Sequence, residues 1–407
     1  MKSRWIQWRE SVSPVVKSAV AGDFCPREVN SEDTAARAKE IVSEIKPYFE
    51  DADLSFLQWE CTVTSRETPI IKCGPNHRCF EPAAAAAKEL GVDCVLLANN
   101  HTGDYDDGGV EDTLSTFRSL QIATVGAGMD QAEAEKPLLL EKNGLKIAVI
   151  NAAEHEFGIA CGKRPGAAGM NIMRISQEIR SLKKEYDIVL VTLHGGHEHY
   201  AFPSPRLKEM CRFFADCGAS AVFNCHSHCP MGYEIYNGVP IVYSPGNFYF
   251  PPRPTSSAAW FIGYVPKFHF DKEGAFGLEI LPYYNYKSRV ALMNEEDSGK
   301  FFAYMDELCA PIGNDDLLQK YFNAWCVKDG FKGYLGILRA MPEGSDFAGA
   351  ENIKSWMGVR NVLSCESHHD LLRNCMYLVE QGRTEQAAEA VEEILRFQNP
   401  EWVYKEV

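Results

Sequence analysis

The stretch VDCVLLANNHTGDYDDG, residues 92–108, decides how the rest of the chain is read. Val92 to Ala98 is a short apolar run rich in residues that suit a buried strand. It ends abruptly in Asn99-Asn100-His101. Upstream, Glu81 to Leu90 (EPAAAAAKEL) has the composition of a helix, with Gly91 as its stop signal. Downstream, Gly109 to Leu120 has helical periodicity, and Ala123 to Val125 a short strand. An apolar strand that delivers polar groups between two helices is one turn of a βαβ rhythm. Asn offers a hard oxygen ligand that cannot be protonated away, and an adjacent His can reach a substrate. Taken alone, the Asn-His pair is equally the sequence of a solvated turn.

The same rhythm extends both ways. Val15 to Gly22 (VVKSAVAG) reads as a buried strand running into Asp23, Thr34 to Phe49 as a helix, and Asp53 to Trp59 as a strand delivering Glu60. Lys146 to Asn151 is a strand and Arg174 to Tyr186 a helix. Asp187 to Leu193 is a strand ending at His194, and Pro205 to Cys217 a helix closed by Gly218. Ala219 to Asn224 is a strand ending at His226 and His228, while Ile241 to Ser244 and Phe261 to Phe270 look like strands of a more antiparallel region. The polar residues fall at strand ends, which is where open α/β sheets bind ligands. After about Tyr286 the pattern turns helical: Lys300 to Leu308, Asp315 to Cys326, Tyr334 to Met341, His368 to Glu380 and Thr384 to Phe397, with Gly330, Gly333 and Gly344 as breakers. The division expected is 1–285 for the α/β domain and 286–407 for a helical C-terminal segment.

At 407 residues, with 45% hydrophobic and 24% charged residues, the chain has ordinary globular composition. The net charge of −15 argues against a general nucleic-acid binder, which needs a basic footprint. Met1 to Glu10 is charged, Val15 to Ala21 is too short for a signal core, and no run approaches a membrane span. The 14 cysteines show no framework of spacings and read as reduced core thiols. The expectation is a cytoplasmic protein without a transmembrane segment. Composition says nothing of oligomeric state.

Three further signals join the Asn-His pair. His226-Ser227-His228 can aim one ring at each of two metals, although two surface loop histidines have the same sequence. Cys225 and Cys229 flank them and could complete a zinc site, but Cys225 adjoins a strand and is more simply core. His194-Gly195-Gly196-His197-Glu198-His199 concentrates three of the chain's 11 histidines. His194 alone sits at a strand end; His197 and His199 are read as lining the cleft or exposed, and Glu198 as orienting a ligand. Asp23 and Glu60 are lone carboxylates after strands, unremarkable singly because such residues also cap helices. Together, two carboxylates, an Asn and three His form a mixed nitrogen and oxygen set. It suits one or two divalent ions such as Mn, Fe or Zn.

The order of these motifs resembles the CapA family, associated with poly-γ-glutamate capsule synthesis, within the calcineurin-like metallophosphoesterase superfamily. Gly22-Asp23 looks like the family's opening Gly-Asp, and Phe56 to Glu60 sits where it has a strand ending in Asn-Leu-Glu. ANNHTGDYDDG (98–108) is similar to its Ala-Asn-Asn-His…Asp-Tyr-Gly signature. Gly126 to Gly128, Ala132, Pro137 and Gly144 to Val149 match the following segment. His194, Gly196 and Glu198 match a His-x-Gly-x-Glu element, His226-Ser227-His228 a His-Pro-His, and Tyr243 to Phe248 a Tyr-Ser-Leu-Gly-Asn-Phe. Gln58-Trp59 departs from Asn-Leu, and Cys25 stands where the wider superfamily has the His of Asp-x-His.

The resemblance implies a metallophosphoesterase-like four-layer α-β-β-α sandwich with a helical C-terminal extension. It implies Glu60 as a bridging ligand, Asn100, His194 and His226 on one metal, and Asp23 and His228 on the other. His101 is then the general acid, with Asp104 and Glu198 as further catalytic residues. The implied function is a metal-dependent hydrolase or transferase in the making or release of an anionic polymer such as poly-γ-glutamate. The alternatives are a cytoplasmic phosphoesterase acting on a small phosphorylated metabolite and a non-catalytic polymer-binding or assembly protein.

Overall fold

Alternation along the strands decides the layering. In Val16–Phe24, Val16 and Val20 join a hydrophobic cluster shared with Ile147, Val149, Ile188 and Leu190, while Ala19 and Ala21 join the helices on the other face. In Ile188–His194 the residues Ile188 and Leu190 face inward, and Val189, Val191 and Leu193 face a second set of helices. Each sheet is therefore apolar on both faces, as parallel sheets covered on both sides must be. A computed structural model describes the chain except residues 1, 28, 30–34, 340, 342–349 and 406–407, and the side chains of residues 350 and 351.

The first sheet has nine strands. Val16–Phe24, Leu54–Trp59, Cys94–Leu96 and Ala123–Val125 run parallel in that order, and the antiparallel hairpin Ile262–Asp271 and Gly274–Asn285 adds on beside Val16–Phe24. Asn247–Tyr249 pairs with the end of Val16–Phe24 at Asp23. The second sheet has six strands, with Leu145–Ala153, Ile188–His194, Ala221–Cys225 and Val239–Val242 parallel and antiparallel strands at both edges. Helices Ala35–Val42 and Asp106–Ser119 cover the outside of the first sheet, Ile172–Leu182 and Pro205–Asp216 the outside of the second. This is the four-layer α-β-β-α sandwich that the resemblance implies.

Local chemistry sets the helix ends. Ser204 accepts a hydrogen bond from the Leu207 N–H, and Pro205 opens the helix at a position whose N–H is not needed. Gly91 adopts φ +70°, as a left-handed helix terminator. The expected helix over residues 34–49 is two helices, Ala35–Val42 and Lys46–Glu50, because Pro47 starts a new one; Thr34 lies outside the described residues. Edge strands such as Arg4–Gln7, Leu138–Lys142 and Tyr233–Tyr236 were not expected. Arg4–Gln7 is only half-buried, so its apolar signal is weak.

The C-terminal region is helical, including Glu295–Cys309, Asp315–Trp325, Ala350–Ser364 and Glu366–Glu380. The helix Ala350–Ser364 was not expected. Gly330 and Gly333, expected as breakers, do not interrupt the helical run: both lie in a π-helical stretch, Cys326–Tyr334, between Asp315–Trp325 and Leu335–Arg339. Gly330 is there for packing, since a Cβ would run into Cys375 Sγ and lie 2.7 Å from Leu371 Cδ2. Gly344 lies outside the described residues. These helices share the cluster between the sheets: Tyr200 stacks on Trp325 at 5.1 Å, and Phe202 meets Phe397 at 4.9 Å.

Candidate metal centre

Five strands end at one spot. Asp23 lies near the end of Val16–Phe24, Glu60 follows Leu54–Trp59, and Asn100 and His101 follow Cys94–Leu96. His194 ends Ile188–His194, and His226 and His228 follow Ala221–Cys225. The side chain of Asn99 ties two of these ends together. Its amide donates to Trp59 O at 2.7 Å, and its Oδ1 accepts the His101 N–H at 3.0 Å. The loop after Cys225 turns sharply, with His226 at φ +113° and His228 at φ +58°. Such backbone is costly for a side chain bearing a Cβ and points to a constrained site.

The six expected ligands are all buried, none more than 6% exposed. His194 Nε2 lies 3.1 Å from Asn100 Oδ1, 3.0 Å from His226 Nδ1 and 3.5 Å from Glu60 Oε1. His228 Nε2 is 3.8 Å from Glu60 Oε1, and its Nδ1 is 3.7 Å from Asp23 Oδ2. Glu60 thus belongs to both groups, Glu60-His194-His226 and Asp23-Glu60-His228, whose donor atoms lie close enough to share an ion. Asp23 Oδ1 and both Glu60 oxygens are buried with no hydrogen-bond partner. Two buried carboxylates with idle lone pairs, facing imidazoles, fit a divalent cation. Without one, burial raises the Asp23 carboxyl to about 6 and, with Asp23 beside it, pushes Glu60 well above the usual range. Burial likewise holds His194 and His228 well below the ordinary imidazole value. At His226 burial is outweighed by Glu156, Glu198 and Asp23, and the value rises.

His101 stands beside this group. Its Nδ1–H donates to Asp104 Oδ2 at 2.6 Å, leaving Nε2 free. Asp104 is itself paired with the buried Lys72 ammonium and accepts the His77 N–H at 2.6 Å. Burial and the nearby Lys72 keep His101 well below its ordinary value. Glu198 is half-exposed on the wall of the adjoining cavity, with an ion-pair contact to His199 at 3.9 Å; the carboxylate set against His226 Nε2 is Glu156, at 3.4 Å. His199 lines that cavity as expected, but His197 does not: it is buried against Phe322 at 5.5 Å. Cys225 belongs to the core, yet its Sγ also lies 3.4 Å from His194 Nδ1. Cys229 turns away, toward Tyr200 O at 3.5 Å, so no two-cysteine site forms with the histidines. All fourteen cysteines are free thiols.

Several residues escaped the sequence reading. Asn247 Oδ1 accepts from His228 Nδ1 at 2.9 Å, which leaves Nε2 toward Glu60. Lys72 and Glu156 carried no strand-end signal; their places follow from loops that fold back. The cavity over the centre measures about 770 Å³, and Arg27, Lys72, Arg253 and Lys328 are among its lining residues. Among the described residues no helix is long and apolar enough to cross a membrane.

Sandwich and strand-end residues together define an α/β protein with a buried site of mixed nitrogen and oxygen donors. The chain belongs to the bacterial capsule synthesis protein PGA_cap family, whose model matches residues 17–252. It is similar to the capsule biosynthesis protein CapA of Bacillus anthracis, 26% identical over 298 residues, covering 68% of this chain and 71% of that one. It is also similar to the PGA biosynthesis protein CapA of Bacillus subtilis (strain 168), 29% identical over 276 residues, 66% of this chain and 71% of that one. A probable polyglutamine synthesis accessory protein of Mycobacterium tuberculosis is 27% identical over 208 residues, 48% of this chain and 55% of its own. Among solved structures, a 5'-nucleotidase precursor from Thermus thermophilus aligns with TM-score 0.42 at 12% identity, over 73% of this chain and 59% of that one.

Proposed function

We propose that the chain is a metal-dependent hydrolase or transferase of the CapA type, acting in the making or release of poly-γ-glutamate or a related anionic polymer. One observation carries the catalytic reading: three unpaired, fully buried carboxylate oxygens of Asp23 and Glu60 face three imidazoles and Asn100, with the His101–Asp104 pair alongside. The names of the Bacillus and Mycobacterium relatives support the polymer. Asp23, Glu60, Asn100, His194, His226 and His228 would hold one or two divalent ions, with Asn100, His194 and His226 serving one, Asp23 and His228 the other, and Glu60 belonging to both groups. A bound divalent ion supplies Lewis-acid polarisation of the attacked group and activation of water. His101 exchanges a proton with the substrate at Nε2, while Asp104 fixes its Nδ1–H and Lys72 balances the Asp104 charge. Glu198 faces the cavity from its wall. Arg27, Arg253 and Lys328 on the cavity wall can meet an anionic substrate, beside the acidic Glu156, Glu198 and Asp329, and the bond cleaved is a phosphoester or an amide. The free thiols support a reducing, cytoplasmic setting.

A second reading, a phosphoesterase for a small phosphorylated metabolite, is favoured by the cavity, whose volume of about 770 Å³ is that of a small-ligand site. Purified protein assayed with phosphodiesters and γ-glutamyl peptides in added Mn separates the two. Turnover of γ-glutamyl peptides supports the polymer reading, and turnover of phosphoesters alone supports the second. Metal-free protein that also fails to take up Mn, Fe or Zn rejects both and leaves the non-catalytic assembly role. His101→Ala should abolish turnover while leaving metal content intact; unchanged turnover removes His101 from its role.

A further inference from the structure

The strand Leu145–Ala153 is followed by a loop beginning Glu154-His155-Glu156, and each of these three residues is tied to the C-terminal helices. Glu154 accepts from Ser367 Oγ at 2.9 Å and from the Ser367 N–H at 3.3 Å. His155 donates its backbone N–H to Glu366 Oε2 at 2.9 Å, and its Nδ1 meets Glu366 Oε1 at 2.6 Å. The Glu156 carbonyl accepts from Arg360, and its Oε2 accepts from Asn361 Nδ2 at 3.3 Å. That leaves Glu156 Oε1, which lies 3.4 Å from His226 Nε2.

His226 is therefore held from both sides. Its backbone sits at φ +113° with its N–H on Asp23 Oδ2 at 3.1 Å, and its Nδ1 faces His194 Nε2 at 3.0 Å. A ring whose Nε2–H is taken by a carboxylate presents the lone pair of Nδ1 to the centre. A carboxylate on the far nitrogen also makes an imidazole a stronger donor and fixes its tautomer.

We infer that Glu156 is a positioning residue that orients His226 toward the metal centre, and that the C-terminal helices hold it there through Arg360 and Asn361. The inference rests on the metal-centre reading above. It gives residues 360–367 a task at a site more than a hundred residues earlier in the chain, and makes that segment part of the centre's construction.

Mn²⁺ titration calorimetry on the full chain tests this, with the melting of the metal-free protein followed in parallel. Glu156→Ala should weaken Mn²⁺ binding by ~10–100-fold while the metal-free protein still melts cooperatively. Glu156→Gln keeps the shape and an acceptor for the Nε2–H, and should lose less. Asn361→Ala, which leaves Glu156 in place but frees its Oε2, should weaken binding in the same direction. Loading with Co²⁺ should show a visible spectrum altered in Glu156→Ala relative to wild type. Wild-type affinity in both Glu156 variants overturns the positioning role, and wild-type affinity in Asn361→Ala overturns the part given to the helices. If Glu156→Ala does not fold, Glu156→Gln carries the test. Wild-type protein that binds no Mn²⁺ fails at the earlier step and overturns the metal-centre reading, taking this inference with it.

Discussion

Asp23 and Glu60 show what a functional residue costs its own fold. Both carboxylates are fully buried, and three of their four oxygens have no hydrogen-bond partner. An uncompensated buried charge is expensive, and a protein normally pairs or neutralises it. Glu60→Gln should therefore raise the melting temperature of the metal-free protein while reducing the gain on adding Mn²⁺; a fall in metal-free stability would contradict the account. Lys72 is the opposite case, since it is buried against Asp104 and its charge is answered. Lys72→Met leaves the Asp104 carboxylate hydrogen-bonded to His101 and His77 but with no opposite charge in the interior, and should cost about 3–5 kcal/mol in denaturant melts. The sequence made Asp104 visible through its place after Asn100-His101, but nothing near Lys72 marks it. Its partner lies 32 positions away, and only the folded loop brings them together.

At the scale of elements, close approaches decide what is tolerated. Gly330 lets the π-helical stretch Cys326–Tyr334 lie against Cys375 and Leu371 of helix Glu366–Glu380. Gly330→Ala should destabilise the protein by about 1–3 kcal/mol through overpacking, measurable as a lower urea midpoint. The N-terminal turn of Glu366–Glu380 is also joined to the sheet through His155 and Glu366. Glu366 is the largest cause of the raised His155 value; burial and Arg360 oppose it, and Glu154 adds to it. Because the folded value lies above the unfolded one, this contribution is fully present below about 6.5, provided Glu366 is ionised. It is lost as pH rises through the higher folded value. A melting series across that window should show wild type losing stability relative to His155→Gln as pH rises, and parallel curves would rule the linkage out.

At the scale of the whole molecule, the sandwich and the C-terminal helices share one hydrophobic cluster through Tyr200, Phe202, Trp325 and Phe397. A fragment ending at residue 285 lacks Trp325 and Phe397, exposes Tyr200 and Phe202, and severs the ties at Glu154, His155 and Glu156. We expect it to be insoluble or non-cooperative in melting, whereas the full chain melts as one unit. Mn²⁺ at about 100 times its dissociation constant should add roughly 2.7 kcal/mol to that unit, and chelator should remove it.

By itself the sequence determined the strand-end placement of Asp23, Glu60, Asn100, His194, His226 and His228, because a short apolar run followed by a polar residue is a local pattern. Burial on both faces is likewise written into runs such as Ile188–His194, whereas the pairing of two sheets was implied by the resemblance and not by the pattern. Only the tertiary structure decided which way His226 faces, that Glu156 and not Glu198 lies against its ring, and that His197 belongs to the core. Those outcomes depend on contacts between residues far apart in the chain, at 154–156 and 360–367, and distance along the chain carries no periodicity that a reader of residues could detect.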